Sequence, residues 1–176
     1  MCELNLSSSV RRSDSEVTDV YMRNADMVYK IAYLYMGNEA DAEDILQNVF
    51  IKFIKSETYF MSVNHEKAWF ITVTKNECKD VIKSVWKSRR EDIEGRIEGV
   101  HIDRYDEGES AEVLGYLQEL KPNYRVTLYL YYYEEYKISE IAGMLSRSES
   151  TIQTWLDRGR KKLKEKIGGD RFERII

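Results

Sequence analysis

Residues 139–166 read SEIAGMLSRSESTIQTWLDRGRKKLKEK, and this stretch decides the fold class. Ile141, Ala142 and Leu145 make one apolar stripe at helical spacing, and Ile152, Leu156 and Leu163 make another beyond a polar break. The break, Ser146 to Ser150, is rich in hydroxyl groups that can accept the orphan amide protons of a helix start. Two short helices joined by a tight turn, the second ending in a basic cluster, form a helix-turn-helix, whose second helix fits the major groove of DNA. A plain helical hairpin with a solvated basic face satisfies the same text, so the decision rests on the remainder of the chain.

Working outward, the 176 residues suit one or two small domains; 43% are hydrophobic and 33% charged, which allows packed cores and argues against wholesale disorder. The single proline, Pro122, and nine glycines favour long helices over a turn-rich sandwich. A net charge of −4 looks unsuited to a DNA partner until it is mapped. Residues 91–119 carry ten acids against Arg96 and Arg104, so that segment alone is −8 and the rest of the chain is +4. The basic segments 67–90 and 147–166 flank it, and the distribution of charge matters more to phosphate than its sum. Held near those segments, the acidic stretch would screen them and weaken DNA binding by the free protein. Cys2 and Cys78 are far apart and lack CxxC spacing, which suggests neither a disulfide framework nor a zinc site; Cys78 falls in an amphipathic pattern as a buried thiol. The polar first twenty residues do not read as a signal peptide, and no eighteen-residue apolar run exists, so neither secretion nor a membrane span is expected and the location is read as cytoplasmic.

The expected architecture is all-α: a flexible tail over 1–15, a helical domain over 16–90, an acidic linker over 91–110, a helix-turn-helix domain over 111–168 and a C-terminal tail over 169–176. The first helix runs from near Ser15 to Met36, with Gly37 and Asn38 as its stop. The second opens at Asn38 with acids in its first turns, and its apolar positions are Ala42, Ile45, Leu46, Val49, Phe50 and Phe53. Residues 56–66 read as a loop and the third helix as 66–87. Residues 124–136, YRVTLYLYYYEEY, fit a strand as well as a helix; no partner strand is evident, so helix is preferred and its six tyrosines are assigned to packing.

The chain resembles the extracytoplasmic-function sigma factors of bacterial RNA polymerase, in sigma region 2 and sigma region 4. The matching text is Ala40–Phe50 (ADAEDILQNVF), Ala68–Asp80 (AWFITVTKNECKD), Leu117–Arg125 (LQELKPNYR), ISEIAGML from Ile138 and TIQTWLDRGRKKL from Thr151, in that order and separated by an unpatterned linker. The resemblance implies two helical domains, one binding the polymerase beta-prime clamp helices and the minus-ten promoter element, the other the beta flap and the minus-thirty-five element. It implies polymerase contact by Asp44, Gln47 and Phe50. It turns Asn76, with the loop 56–67, toward the minus-ten DNA, where Tyr59 or Phe60 can stack an unpaired base. Lys75, Lys79, Lys83 and Lys87 recur every four residues and form a row suited to phosphates. Trp69 is assigned to the core. In the second domain Ser150, Thr151, Gln153 and Thr154 face the groove, while Arg158, Arg160 and Lys161 meet phosphate or the flap. The chain departs from the family pattern at Trp155, where an arginine is usual, and at Ser146 and Arg147, where a glycine and an apolar residue are usual. The resemblance also implies an anti-sigma factor as a partner. A stand-alone helix-turn-helix regulator is the alternative, and it has no need of both the Asp44–Gln47–Phe50 element and the basic row. His65 and His101 lack ligand partners at metal spacing and no phosphate-cradling glycine loop appears, so neither an enzyme nor a cofactor is expected.

Overall fold

A computed structural model describes residues 12–89 and 115–167, and among these every regular element is a helix. α1 spans Asp14–Met36, α2 Glu39–Lys55 and α3 Val63–Arg89. Local chemistry sets the ends. The Ser13 hydroxyl accepts from the Glu16 amide at 3.1 Å, and Asn38 Oδ1 from the Asp41 amide at 2.9 Å. Between α1 and α2 the chain reverses at Gly37, whose φ of +79° is left-handed and whose amide donates to the Tyr33 carbonyl at 2.8 Å. The third helix starts three residues earlier than the periodicity predicts, because Ser62 accepts from the His65 amide at 3.1 Å and so caps it. The tail expected over 1–15 also gives way within the described residues: Arg12 is anchored, Ser13 is a cap, and Asp14 and Ser15 are helical.

The three helices enclose Val28, Ile31, Leu34, Ile45, Val49 and Ile71, with an aromatic group of Phe50, Phe53, Phe60, Trp69 and Phe70 at one side. A buried polar bridge joins α1 to α3. Glu66 accepts from Arg23 at 3.0 and 3.2 Å and from Asn24 at 2.6 Å.

The second domain has helical backbone at 115–118, then α4 Pro122–Tyr132, α5 Ile138–Leu145 and α6 Glu149–Ile167. Proline begins α4, where its missing N–H leaves no gap. The ambiguous tyrosine stretch is therefore helical through Tyr132. Tyr124 and Tyr129 are buried and Tyr131, Tyr132 and Tyr136 half-buried, the packing role expected of them, whereas Tyr133 is exposed with its ring stacked on Tyr129. α5 ends in paired bonds, Ser146 N–H to the Gly143 carbonyl at 3.2 Å and Arg147 N–H to the Ala142 carbonyl at 2.9 Å. This is a Schellman ending with serine rather than glycine in the left-handed position, at φ +53°. α6 packs against α4 so closely at Gly159 that an added Cβ would lie 3.0 Å from Leu128 Cδ1.

The two domains touch. Gln118 donates to the Tyr33 carbonyl at 3.2 Å, Lys67 pairs with Glu134 at 3.1 Å, and α3 packs on α5. The acidic linker and its proposed screening role lie outside the described residues.

Candidate polymerase and nucleic-acid interfaces

α2 has two faces. Ala42, Ile45, Val49 and Phe53 point into the core, whereas Asp44 and Gln47 are exposed. Phe50 does not join them. It is 6% exposed and packs on Tyr21, Phe53 and Phe70 at centroid distances of 4.8, 6.5 and 5.0 Å. The physical reason is angular: at 100° per residue Phe50 lies about 120° around the helix from Asp44, on the inward side. Ile51 and Ile54, at 46% and 50% exposed, continue the outer face instead. Sequence reasoning passed over these two; the signal was there, since they fall off the buried stripe yet are apolar.

α3 breaks the expected basic row at its first member. Lys75 is only 3% exposed and donates to the Met144 carbonyl at 2.8 Å and to Ser146 Oγ at 3.2 Å, across the domain boundary. Its stem falls on the side of α3 that meets α5, and the ammonium is held by a carbonyl in the last turn of that helix, at the negative end of its dipole. Burial holds the Lys75 ammonium below its ordinary pKa, with Lys79 and Arg147 adding repulsion. Lys79 is half-buried and is lowered by burial and by Arg147. Asn76 and Lys83 are exposed, and Lys83 lies 3.7 Å from Asp80.

The loop between α2 and α3 places its two aromatic residues differently. Phe60 packs on Phe53, His65 and Trp69, while Tyr59 is 76% exposed and Met61 94% exposed. Trp69 packs edge-on against Phe53, Phe60 and Phe70, as expected of a core residue.

On α6 the Ser148 hydroxyl accepts from the Thr151 amide at 3.2 Å and lies close to the hydroxyls of Ser150 and Thr151. Ser150, Gln153 and Thr154 are exposed and Thr151 half-buried, so one exposed, hydroxyl-rich helix start is formed. Gln153 donates to Asp157 at 3.0 Å. Trp155 is half-buried beneath Arg147, whose guanidinium carbon lies 5.9 Å from the ring centroid. Arg147 thus covers the tryptophan that stands where the family carries an arginine, and an exposed cation is kept beside the helix start. Arg158 and Lys161 are exposed. Arg160 is not equivalent to them. Its Nε donates to Tyr132 Oη at 2.6 Å and its guanidinium lies over the Tyr131 and Tyr132 rings, tying α6 to α4.

Two compact helical domains, one with an exposed Asp–Gln face and one with a helix-turn-helix, define a class, and comparison with known proteins agrees. Residues 20–88 match the family model for sigma-70 region 2, and residues 110–163 match that for sigma-70 region 4. The chain belongs to the sigma-70 family, among its extracytoplasmic-function members. It is 26% identical over 154 residues to the ECF RNA polymerase sigma factor SigE of Mycolicibacterium smegmatis, covering 84% of this chain and 60% of that protein. It is 28% identical over 154 residues to the ECF RNA polymerase sigma factor SigM of Bacillus subtilis, covering 84% of this chain and 93% of that one. The fold is shared with the sigma factor RpoE in its co-crystal structure with the anti-sigma factor NepR from Bartonella quintana, at a TM-score of 0.73 and 20% identity over 84% of this chain and 94% of that chain. Among the described residues no helix is long and apolar enough to cross a membrane, and no group of acidic, histidine and cysteine side chains is arranged to hold a metal.

Proposed function

We propose that this chain binds core RNA polymerase and directs it to promoters. In this reading the outer face of α2, with Asp44 and Gln47, docks on the beta-prime clamp helices, and the second domain meets the beta flap. α6 reads the minus-thirty-five element through Ser150, Thr151, Gln153, Thr154 and Trp155, with Arg158 and Lys161 on phosphates. Lys79, Lys83, Asn76 and the loop bearing Tyr59 engage the minus-ten element, where strands separate. Lys75 joins them only when the domains part, because its ammonium is otherwise held by Met144 and Ser146. The protein performs no catalysis of its own, works in the cytoplasm where polymerase is, and is held in check by an anti-sigma factor.

The observation that carries this reading is the outer face of α2: Asp44, Gln47, Ile51 and Ile54 are all exposed and none belongs to the core, so the fold does not require them. The test is binding of labelled protein to purified bacterial core polymerase, wild type against Asp44→Ala/Gln47→Ala. Tight wild-type binding that weakens by at least about tenfold, or about 1.4 kcal/mol, supports the reading. No wild-type binding would instead make this a stand-alone DNA-binding regulator.

A further inference from the structure

Arg12 lies before the first helix and outside both segments that carry the family resemblance, yet its side chain is only 8% exposed. Its guanidinium uses the fork of donors that only arginine offers. Nε donates to the Phe53 carbonyl at 3.3 Å. Nη2 donates to the Ser56 carbonyl at 3.4 Å and also to the Thr58 carbonyl and the Ser56 hydroxyl. Nη1 pairs with Glu16 at 2.6 Å, which holds the guanidinium in α1's first turn. The guanidinium carbon lies over the Phe53 ring, 4.2 Å from its centroid.

These contacts gather the carbonyls of residues 53, 56 and 58, at the point where α2 ends and the loop begins. The Ser56 amide and hydroxyl both turn back to the Phe53 carbonyl, at 3.1 and 2.9 Å, so Arg12 shares that carbonyl with them and adds the two loop carbonyls of Ser56 and Thr58. Two residues further on, Phe60 is stacked on Phe53 at 6.0 Å. The loop is thus pinned on either side of Tyr59, by Arg12 at Thr58 and by the core at Phe60, and Tyr59 stands out between the two pins. An exposed aromatic ring on a loop is ordinarily mobile. Here its backbone is held on both sides, which lowers the entropy lost when the ring stacks on a base.

We propose that Arg12 is a positioning residue for promoter opening, which fixes the 56–60 loop so that Tyr59 is presented to an unpaired base. The proposal rests on the minus-ten reading of that loop. Arg12 touches no DNA in this scheme and acts through Thr58 and Ser56.

The test uses the full chain with core polymerase and a promoter duplex selected from random sequence by run-off transcription with the wild-type protein. Strand opening is followed by 2-aminopurine fluorescence in the minus-ten region for Arg12→Ala, Arg12→Lys, Tyr59→Ala and the Arg12→Ala/Tyr59→Ala pair. Amide exchange is followed in parallel. Arg12→Ala and Tyr59→Ala are each expected to slow opening by about tenfold, and the pair by no more than about twice the slower single change, since they disable one device. Arg12→Lys should resemble Arg12→Ala, because a single ammonium cannot span three carbonyls. Core affinity should stay within about twofold throughout, with faster exchange confined to residues 56–61. Wild-type opening by the Arg12 variants, with Tyr59→Ala slow, would overturn the role of Arg12 and leave the minus-ten reading standing. Wild-type opening by Tyr59→Ala would overturn both. Loss of protection across α1–α3, or effects that multiply in the pair, would reduce Arg12 to a stabilising clamp.

Discussion

Lys75 and Glu66 are both buried charges on α3, and they are settled in opposite ways. Burial would raise the Glu66 carboxyl, but hydrogen bonds from Arg23 and Asn24 and the Arg23 charge outweigh it and hold the group below the usual carboxylate range. A depressed folded pKa means that the unfolded chain binds the proton first as pH falls. The bridge therefore contributes fully above the ordinary carboxylate pKa and is lost as pH drops through and below it. Glu66→Gln should cost about 1–3 kcal/mol at neutral pH by urea unfolding, and should flatten the fall in stability on the acid side. Lys75 has no carboxylate among the described residues and relies on a helix-end carbonyl and a hydroxyl. That hydroxyl belongs to Ser146, which occupies a left-handed conformation that a Cβ disfavours. Ser146→Gly should relieve about 1 kcal/mol of that strain but take a hydrogen bond from the buried ammonium, at a cost of about 1–3 kcal/mol, so the melting temperature should not rise.

At the scale of elements, α2 and α6 each divide structural from functional side chains, and the division is measurable. Phe50→Ala should destabilise the protein by about 3–5 kcal/mol in chemical unfolding, as expected for emptying a buried aromatic site. Asp44→Ala/Gln47→Ala should alter stability by no more than about 0.5 kcal/mol per site, as exposed positions do. On α6, Arg158→Ala and Lys161→Ala should each lower the slope of log affinity against log salt for promoter DNA by about one, with little loss of stability. Arg160→Ala should behave differently and lower the melting temperature, because it also removes the bond to Tyr132 and the ring contacts. The same two helices show how far periodicity carries. It places Phe50 in the buried stripe and Asp44 outside it, but a linear motif that groups the two overrides the geometry, and the packing of Phe50 on Phe70 decides for the geometry.

At the scale of the whole molecule the domains close on each other through Lys75, Lys67 and Gln118. Lys75→Ala removes the ammonium that spans α3 and α5 and should weaken this packing by about 1–3 kcal/mol, seen in small-angle X-ray scattering as a larger radius of gyration. Sequence alone determined the helical class, the two domains, the helix-turn-helix and the family, because each depends on short-range periodicity, capping chemistry and spacing that are written along the chain. It also separated Asp44 and Gln47 from the apolar stripe of α2. Tertiary structure alone decided which members of a regular row remain exposed. Lys75 and Lys83 share one spacing on one helix, yet one is buried against the second domain and the other is exposed. It decided in the same way that Phe60 packs while Tyr59 stands out, and that Arg12 belongs to the fold. Burial depends on what arrives from elsewhere in the chain, and no local pattern encodes a contact between residues 12 and 58 or between 75 and 144.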